Sequence, residues 1–156
     1  MTRPMRLLPE HADAMATLHR RVFRAGEAWS ADAFRQNLSL PSSKAIGLWH
    51  KSKLAAFLVT QYVTPEAEIL TIATAPEVQR RGFAQDLVSA LEEQLLSGGL
   101  QKWLLDVAAD NLPAIKFYEK IGFQRDGRRS GYYNRLEGQR IDAILMSKHL
   151  ARQETH

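Results

Sequence analysis

The chain has 156 residues, 45% of them hydrophobic, with 21 Lys and Arg against 17 Asp and Glu, a formal net charge of +4 and no cysteine. That length suits one domain able to bury its own core, and the lack of cysteine excludes disulfides and thiolate catalysis and fits a reducing, cytoplasmic setting. The longest apolar run, residues 54–59, is too short to span a membrane, and the five histidines show no spacing with acids that would hold a metal.

The first residues, MTRPMRLLPEHADAM, carry prolines and acids where a secretory signal has an apolar core, so they are read as the start of the mature chain. Residues 5–8 form a short strand. Met15, Leu18 and Val22 then recur at helical spacing, and Ser30 is placed to cap a second helix carrying Phe34 and Leu38. Three strand-like runs follow at 44–50, 54–63 and 68–74. The turn-sized stretches HKSK and TPEA between them predict an antiparallel meander. From Gly82, the residues Leu87, Val88, Leu91 and Leu95 mark one face of a helix that Ser97, Gly98 and Gly99 stop. KWLLDV, from Lys102, is a fifth strand, and a helix over 112–121 ends at Gly122. Two last strands, 123–133 and 140–150, flank NRLEGQ. The sum is one mixed α/β domain over residues 1–150, with about seven mostly antiparallel strands, one parallel pair and about four helices; residues 151–156 are left as a tail.

The strand from Glu68, the helix from Gly82 and the strand from Lys102 make a βαβ unit. Its helix N-terminus has N–H groups with no intrahelical partner, which suits an anion. In QRRGFA, Gly82 has no side chain to keep a phosphate from the backbone, Ala84 has little, and Arg80 and Arg81 add positive charge. The stretch lacks the Lys and Ser/Thr of a nucleotide P-loop and the third glycine of a dinucleotide fingerprint.

The run ILTIATAPEVQRRGFAQDLVSALE, followed after a strand by DNLPAIKFYEKIGF, resembles the acetyl-CoA-binding core of the GNAT superfamily of N-acetyltransferases. The family pattern is Gln/Arg-x-x-Gly-x-Gly/Ala at the helix start, then an Asn and a Tyr two turns later before Gly-Phe. Gln79, Gly82, Ala84, Asn111, Tyr118, Gly122 and Phe123 match it, and the order of elements matches over nearly the whole chain. EAWSADAF and RRSGYYNRLEGQRIDAILM are similar to the subgroup that acetylates the N-terminal alanine of a small-subunit ribosomal protein.

The resemblance implies acetyl-CoA as cosubstrate, direct transfer to an amine, a GNAT fold and no metal. It implies that Gln79, Arg80, Arg81, Gly82, Phe83 and Ala84 hold the pyrophosphate and that the backbone of Ile72, Ala73 and Thr74 meets the acyl and pantetheine chain. There the fourth strand is expected to part from the fifth. Asn111 is expected to contact the cofactor and Tyr118 to give a proton to the departing sulfur. Thr74 departs from the valine common in the family. The subgroup's base is a Glu where this chain has Asp106, one methylene shorter, and Glu68 competes for that role. Asp110 is expected to cap the following helix. Trp29 and one of Tyr132 and Tyr133 are expected to line the acceptor groove; on a strand the two tyrosines point to opposite faces. Glu27 and Asp32, if they lie near the groove, favour acceptors with basic residues after the terminus. The arginines at 125, 128, 129, 135 and 140 crowd the last third. The acceptor expected first is a protein N-terminus, with a ribosomal protein foremost and no direct nucleic-acid binding. A small-molecule amine is the alternative acceptor. A non-catalytic acyl-CoA or nucleic-acid binding module is the alternative from another class.

Overall fold

The computed structural model describes residues 3–150, so the tail expected at 151–156 lies outside the described residues. The elements in chain order are β1 (Met5–Arg6), α1 (Ala12–Val22), α2 (Ala31–Leu38), β2 (Ser43–His50), β3 (Lys53–Val63), β4 (Glu66–Thr74), α3 (Phe83–Leu96), β5 (Lys102–Ala108), α4 (Leu112–Lys120), β6 (Gln124–Asn134) and β7 (Arg140–His149). The seven strands form one sheet in the order β1-β2-β3-β4-β5-β7-β6. The predicted meander is β2-β3-β4, and the predicted βαβ unit is β4-α3-β5, whose strands are the parallel pair.

The longest apolar run becomes the middle of β3, the strand with helices on both faces. Leu54, Ala55, Phe57 and Val59 pack with α1 and α2, whereas Ala56 and Leu58 pack with α3 and α4. A strand covered on both sides needs apolar residues at every position rather than at alternate ones. On the α3 side the core holds Leu87, Leu91, Trp103, Ile115 and Met146, and the Trp103 indole N–H donates to Glu92 at 3.0 Å. On the other side Met15, Leu18 and Phe34 form a second core. Val22, expected on that face of α1, is more than a third exposed, because the helix ends there and Phe23 turns inward in its place.

Local signals hold at the helix ends. The Ser30 hydroxyl accepts from the Ala33 N–H at 3.0 Å and starts α2. α4 closes at Gly122, whose φ of 105° lies in the left-handed region, while the Phe123 N–H returns to the Tyr118 carbonyl.

The coverage of the sheet positions the site. α1 packs on β3 and β4, and α2 on β2. Among the described residues neither takes up the same face of β5, β7 and β6 to a comparable extent, so that half of the sheet carries no helix on the α1 side, although the small Ala143 and Ser147 on it are fully buried. Half-buried Leu104, Asp106 and Leu145 belong to this face, since they alternate with the α3-side residues Trp103, Leu105, Val107, Ile144 and Met146.

Candidate active site

The sheet is split where the site lies. β4 pairs with β5 only from Glu66↔Lys102 to Ile69↔Leu105. On its other side the β3 register jumps from Val59↔Thr71 to Thr60↔Ile69, which leaves Leu70 as an extra residue, a β-bulge. A bulge bends its strand and sharpens the local twist, so β4 leaves β5 one residue after their last pair. Past the bulge, the Ala75 N–H donates to the Ala55 carbonyl of β3 at 2.7 Å. By strand alternation Ile72 and Thr74 therefore turn their backbone groups to the open side. The Thr74 carbonyl there accepts from the Gln79 side-chain amide at 3.2 Å. The Ile72 N–H is thus aimed into the gap, as buried backbone groups that await a partner must be. Ala73, between them, packs its side chain in the α1-side core and turns its backbone groups to β3, so it does not offer them to the gap as expected.

The loop from β4 to α3 carries the second part. Arg80 and Gly82 have φ of 69° and 80°, a tight left-handed approach to the helix. The first intrahelical bond runs from the Asp86 N–H to the Gly82 carbonyl at 2.9 Å, so the N–H groups of Phe83, Ala84 and Gln85 precede the ladder. A Cβ built on Gly82 meets nothing within 4 Å. The start of α3 is thus open in front of Gly82, as an anion site requires. Arg80 and Arg81 are exposed at its rim, Ala84 is half-buried, and the Phe83 ring packs between the two cores against His50 at 6.5 Å.

Four ionisable side chains meet at the split. Tyr118, on α4, is buried on the α3 side, in edge contact with Phe117 and Phe123. Burial, and secondarily the Tyr133 hydroxyl, push its pKa above the ordinary phenol value, so it stays protonated and remains a donor. Tyr133 is pushed up to about 12 by burial and then by Asp106, with Tyr132, Glu27 and Glu68 adding to the effect. The Glu68 carboxyl is raised by burial and then by Asp106, against a lowering by Arg129. Tyr133 thus stands between the tyrosine of α4 and the carboxylates of the open face. Neither Glu68 nor Asp106 enters an ion pair among the described residues.

Tyr132 and Tyr133 do not point to opposite faces. Their rings touch at right angles, 5.0 Å apart, because the β6–β7 register shifts between Arg129 and Tyr133, and Gly131, at φ 58°, breaks the alternation. Tyr132 stays about half exposed beneath the Arg129 guanidinium, 5.4 Å from its ring. The helix cap also differs from expectation. Asn111, not Asp110, starts α4, its side chain accepting from the Ala114 N–H at 3.3 Å. Asn111 consequently sits outside the helix rather than on one face with Tyr118, and its amide oxygen is already engaged.

Asp110 instead receives both terminal nitrogens of Arg135 at 2.9 Å each, and the Arg135 Nε lies 2.6 Å from Glu27, although not aligned for a hydrogen bond. Arg135 is nearly enclosed, and its hydrogen bonds hold the Asp110 carboxyl below the usual range. This triad ties the α1–α2 loop, the β5–α4 loop and the β6–β7 connection around a cavity of about 420 Å3 lined by residues 24–27 together with Asn134, Arg135 and Gln139. A fork whose two arms join Arg135 to residues 25 and 108 positions away had no local signal in the sequence. It also answers the charge of Glu27, so the expected preference for basic acceptors loses that carrier. Asp32 lies elsewhere, paired with Arg35 at 2.7 Å on the α1–α2 surface. Trp29 is half-buried against Phe34, 5.1 Å away, at the edge of the α1-side core. Of the five late arginines, Arg125 pairs with Glu119, Arg128 with Asp142 and Arg135 with Glu27 and Asp110, so their charge does not add up to one basic face.

A split sheet with free amides on one strand, an anion cradle at the next helix and facing acids and phenols has the parts for acyl transfer. The description "Acetyltransferase (GNAT) family" matches residues 12–123. The chain belongs to the GNAT acetyltransferase family. It is 34% identical over 138 residues to the Escherichia coli K12 protein named [ribosomal protein bS18]-alanine N-acetyltransferase, covering 88% of this chain and 92% of that one. The crystal structure of the ribosomal-protein-S18-alanine N-acetyltransferase from Escherichia coli superposes with a TM-score of 0.86 at 30% identity, covering 100% and 99% of the two chains. Arabidopsis thaliana NAA60, solved in complex with acetyl-CoA, shares the fold at a TM-score of 0.80 and 20% identity, with 96% and 99% covered. Among the described residues no helix is long and apolar enough to cross a membrane.

Proposed function

We propose that this GNAT enzyme transfers acetyl from acetyl-CoA to a protein N-terminal α-amine, with the alanine terminus of a ribosomal protein first. The observation that carries the acceptor is the near full-length likeness to the Escherichia coli ribosomal-protein-alanine enzyme. The split supports the chemistry, because it opens both to the α3–α4 side and to the uncovered face of β5 and β7.

Acetyl-CoA, when bound, supplies a thioester, a pyrophosphate and a thiol leaving group. The amides of residues 83–85, with Arg80 and Arg81 at the rim, suit the pyrophosphate, and Gly82 keeps the approach clear. The Ile72 N–H in the gap is placed to donate to charge that develops on the acyl oxygen, and a fixed donor needs no reorganisation as that charge appears. Protonated Tyr118 holds a proton for the departing sulfur. On the open face Glu68 takes the proton from the amine, its basicity raised by burial and by the charge of Asp106. Asp106 is then the residue that tunes the base rather than the base itself.

That division has a testable sign. Removing the charge in Asp106→Asn favours ionised Glu68, lowers its pKa and moves the acid limb of the kcat–pH profile to lower pH while the plateau stays within a few-fold. Glu68→Gln lowers the plateau by about 10²-fold or more, the size expected for loss of a general base. A collapsed plateau in Asp106→Asn beside an active Glu68→Gln would exchange the two roles.

The acceptor is tested with peptides. An α-amine has an ordinary pKa of about 7.7–8.0, whereas a lysine amine sits near 10.4, so at neutral pH only the first is substantially neutral. A mildly raised carboxylate suits the easier deprotonation. kcat/KM for a peptide with a free N-terminal alanine should exceed by at least about tenfold that for the same peptide blocked at its terminus but retaining a lysine. Spermidine and an aminoglycoside serve as small-amine controls. If either is preferred over every free-terminus peptide, the protein acceptor is wrong while the acetyltransferase assignment stands.

A further inference from the structure

His19, on α1, is fully buried and takes no direct part in the chemistry above. Its ring stacks on Phe23 at 3.9 Å and on Phe57 at 5.9 Å and meets the edge of Phe34 at 5.2 Å. Aromatic walls leave a buried imidazole only its two nitrogens to satisfy, and both are satisfied here. The Trp29 backbone N–H donates to Nδ1 at 2.9 Å, which fixes the ring proton on Nε2, and Nε2 donates to the Thr71 hydroxyl at 2.8 Å.

The two partners belong to opposite sides of the proposed reaction. Thr71 directly follows Leu70, the extra residue of the bulge, and directly precedes Ile72, whose N–H faces the gap. Trp29 closes the loop whose residues 24–27 line the cavity held together by Arg135. We infer that His19 is a positioning residue that locks the acceptor-side loop to the bulged edge of β4, so that one imidazole sets the alignment of the amine against the acyl group. The inference rests on the reading of those two edges as acceptor and acyl sites. Burial lowers the His19 pKa to about 4, so the ring is neutral near pH 7 and Nδ1 keeps its acceptor character. Misalignment of reacting groups by a fraction of an ångström is costly in rate, which makes a rigid, uncharged two-way bridge useful here.

The test separates the two hydrogen bonds. His19→Asn keeps an acceptor near the Nδ1 position and loses the reach to Thr71. Thr71→Val removes the same bond from the other end without touching α1 and guards against a His19 variant that fails to fold. His19→Gln reaches toward the Nε2 position and leaves the Trp29 N–H without its acceptor. KM for acetyl-CoA, KM for the acceptor peptide and kcat are measured for each, with circular dichroism confirming the fold. His19→Asn and Thr71→Val should lower kcat by about tenfold with the acceptor KM unchanged, and the double variant should be no worse than either alone. His19→Gln opens the other end of the same bridge and should lower kcat to a similar degree, while also raising the acceptor KM by about tenfold because the loop itself loses its anchor. Wild-type constants in folded variants, or losses that add in the double variant, would overturn the inference. If the wild-type enzyme prefers a small amine, the acceptor reading alone fails. The split is then measured with that amine, and kcat changes in His19→Asn and Thr71→Val without a KM change still decide for the bridge.

Discussion

Tyr118→Phe should lower the turnover of the enzyme by about 10²-fold or more with little change in affinity for acetyl-CoA, the loss expected when one acid catalyst is removed. The substitution is well suited to the question. The ring contacts with Phe117 and Phe123, at 5.2 and 5.5 Å, survive in phenylalanine, and no hydrogen bond from another side chain contributes to the state of the hydroxyl. Stability should therefore hardly move, and a loss of rate reports on chemistry. Burial keeps this phenol protonated; in the proposed role it holds that proton against the sulfur, and the need for it falls as the thiol becomes more acidic. An acetyl thioester of a more acidic thiol should accordingly lose less rate in Tyr118→Phe than acetyl-CoA does. Equal rates for the two proteins, measured where acyl transfer limits turnover, would make Tyr118 a core residue only.

Gly82→Val should weaken acetyl-CoA binding by about 10²-fold, since it removes access to two or more charge-assisted hydrogen bonds at the head of α3. Two effects act together. Valine is strained at φ 80°, and its branched side chain fills the space in front of the free amides, where glycine leaves nothing within 4 Å. Calorimetry gives the affinity. S-acetylpantetheine, which lacks the phosphates, separates the cradle from general damage, because both proteins should use it with similar kcat/KM. A variant that binds acetyl-CoA like the wild type, or that loses the two donors equally, would remove the phosphate role from this loop.

Gly82 and Tyr118 were legible in the sequence because both belong to stretches whose pattern is local. A glycine before a helix start and a tyrosine before Gly-Phe keep their spacing in the chain whatever the rest of the fold does. The same holds for most of the architecture. The run at residues 54–59 reads as part of a strand, Ser30 as a helix start, and Gly122 and the glycines at 98 and 99 as helix ends, and the elements follow those signals; that the strand is covered on both faces came from the packing.

Where local rules were applied to irregular backbone, they failed. The opposite-face expectation for Tyr132 and Tyr133 assumed an unbroken strand, but Gly131 and the shifted register set their rings in contact. Asp110 had the chemistry of a cap, yet the adjacent Asn111 took that place and freed Asp110 for Arg135. Short polar side chains next to one another compete for the same amide, and the winner is set by what else lies within reach.

What the sequence by itself determined is therefore the family, the order of elements and the places of most helix ends and turns, since caps, turns and alternation act over a few residues. Only the tertiary structure decided which acids face one another, that Arg135 joins Glu27 to Asp110, and that His19 reaches both Trp29 and Thr71. Those contacts join residues between 10 and 108 positions apart. They depend on mutual approach, for Arg135 through its hydrogen bonds to Asp110 and for His19 through burial, which no stretch of sequence contains until the sheet is closed by its helices and split by its bulge.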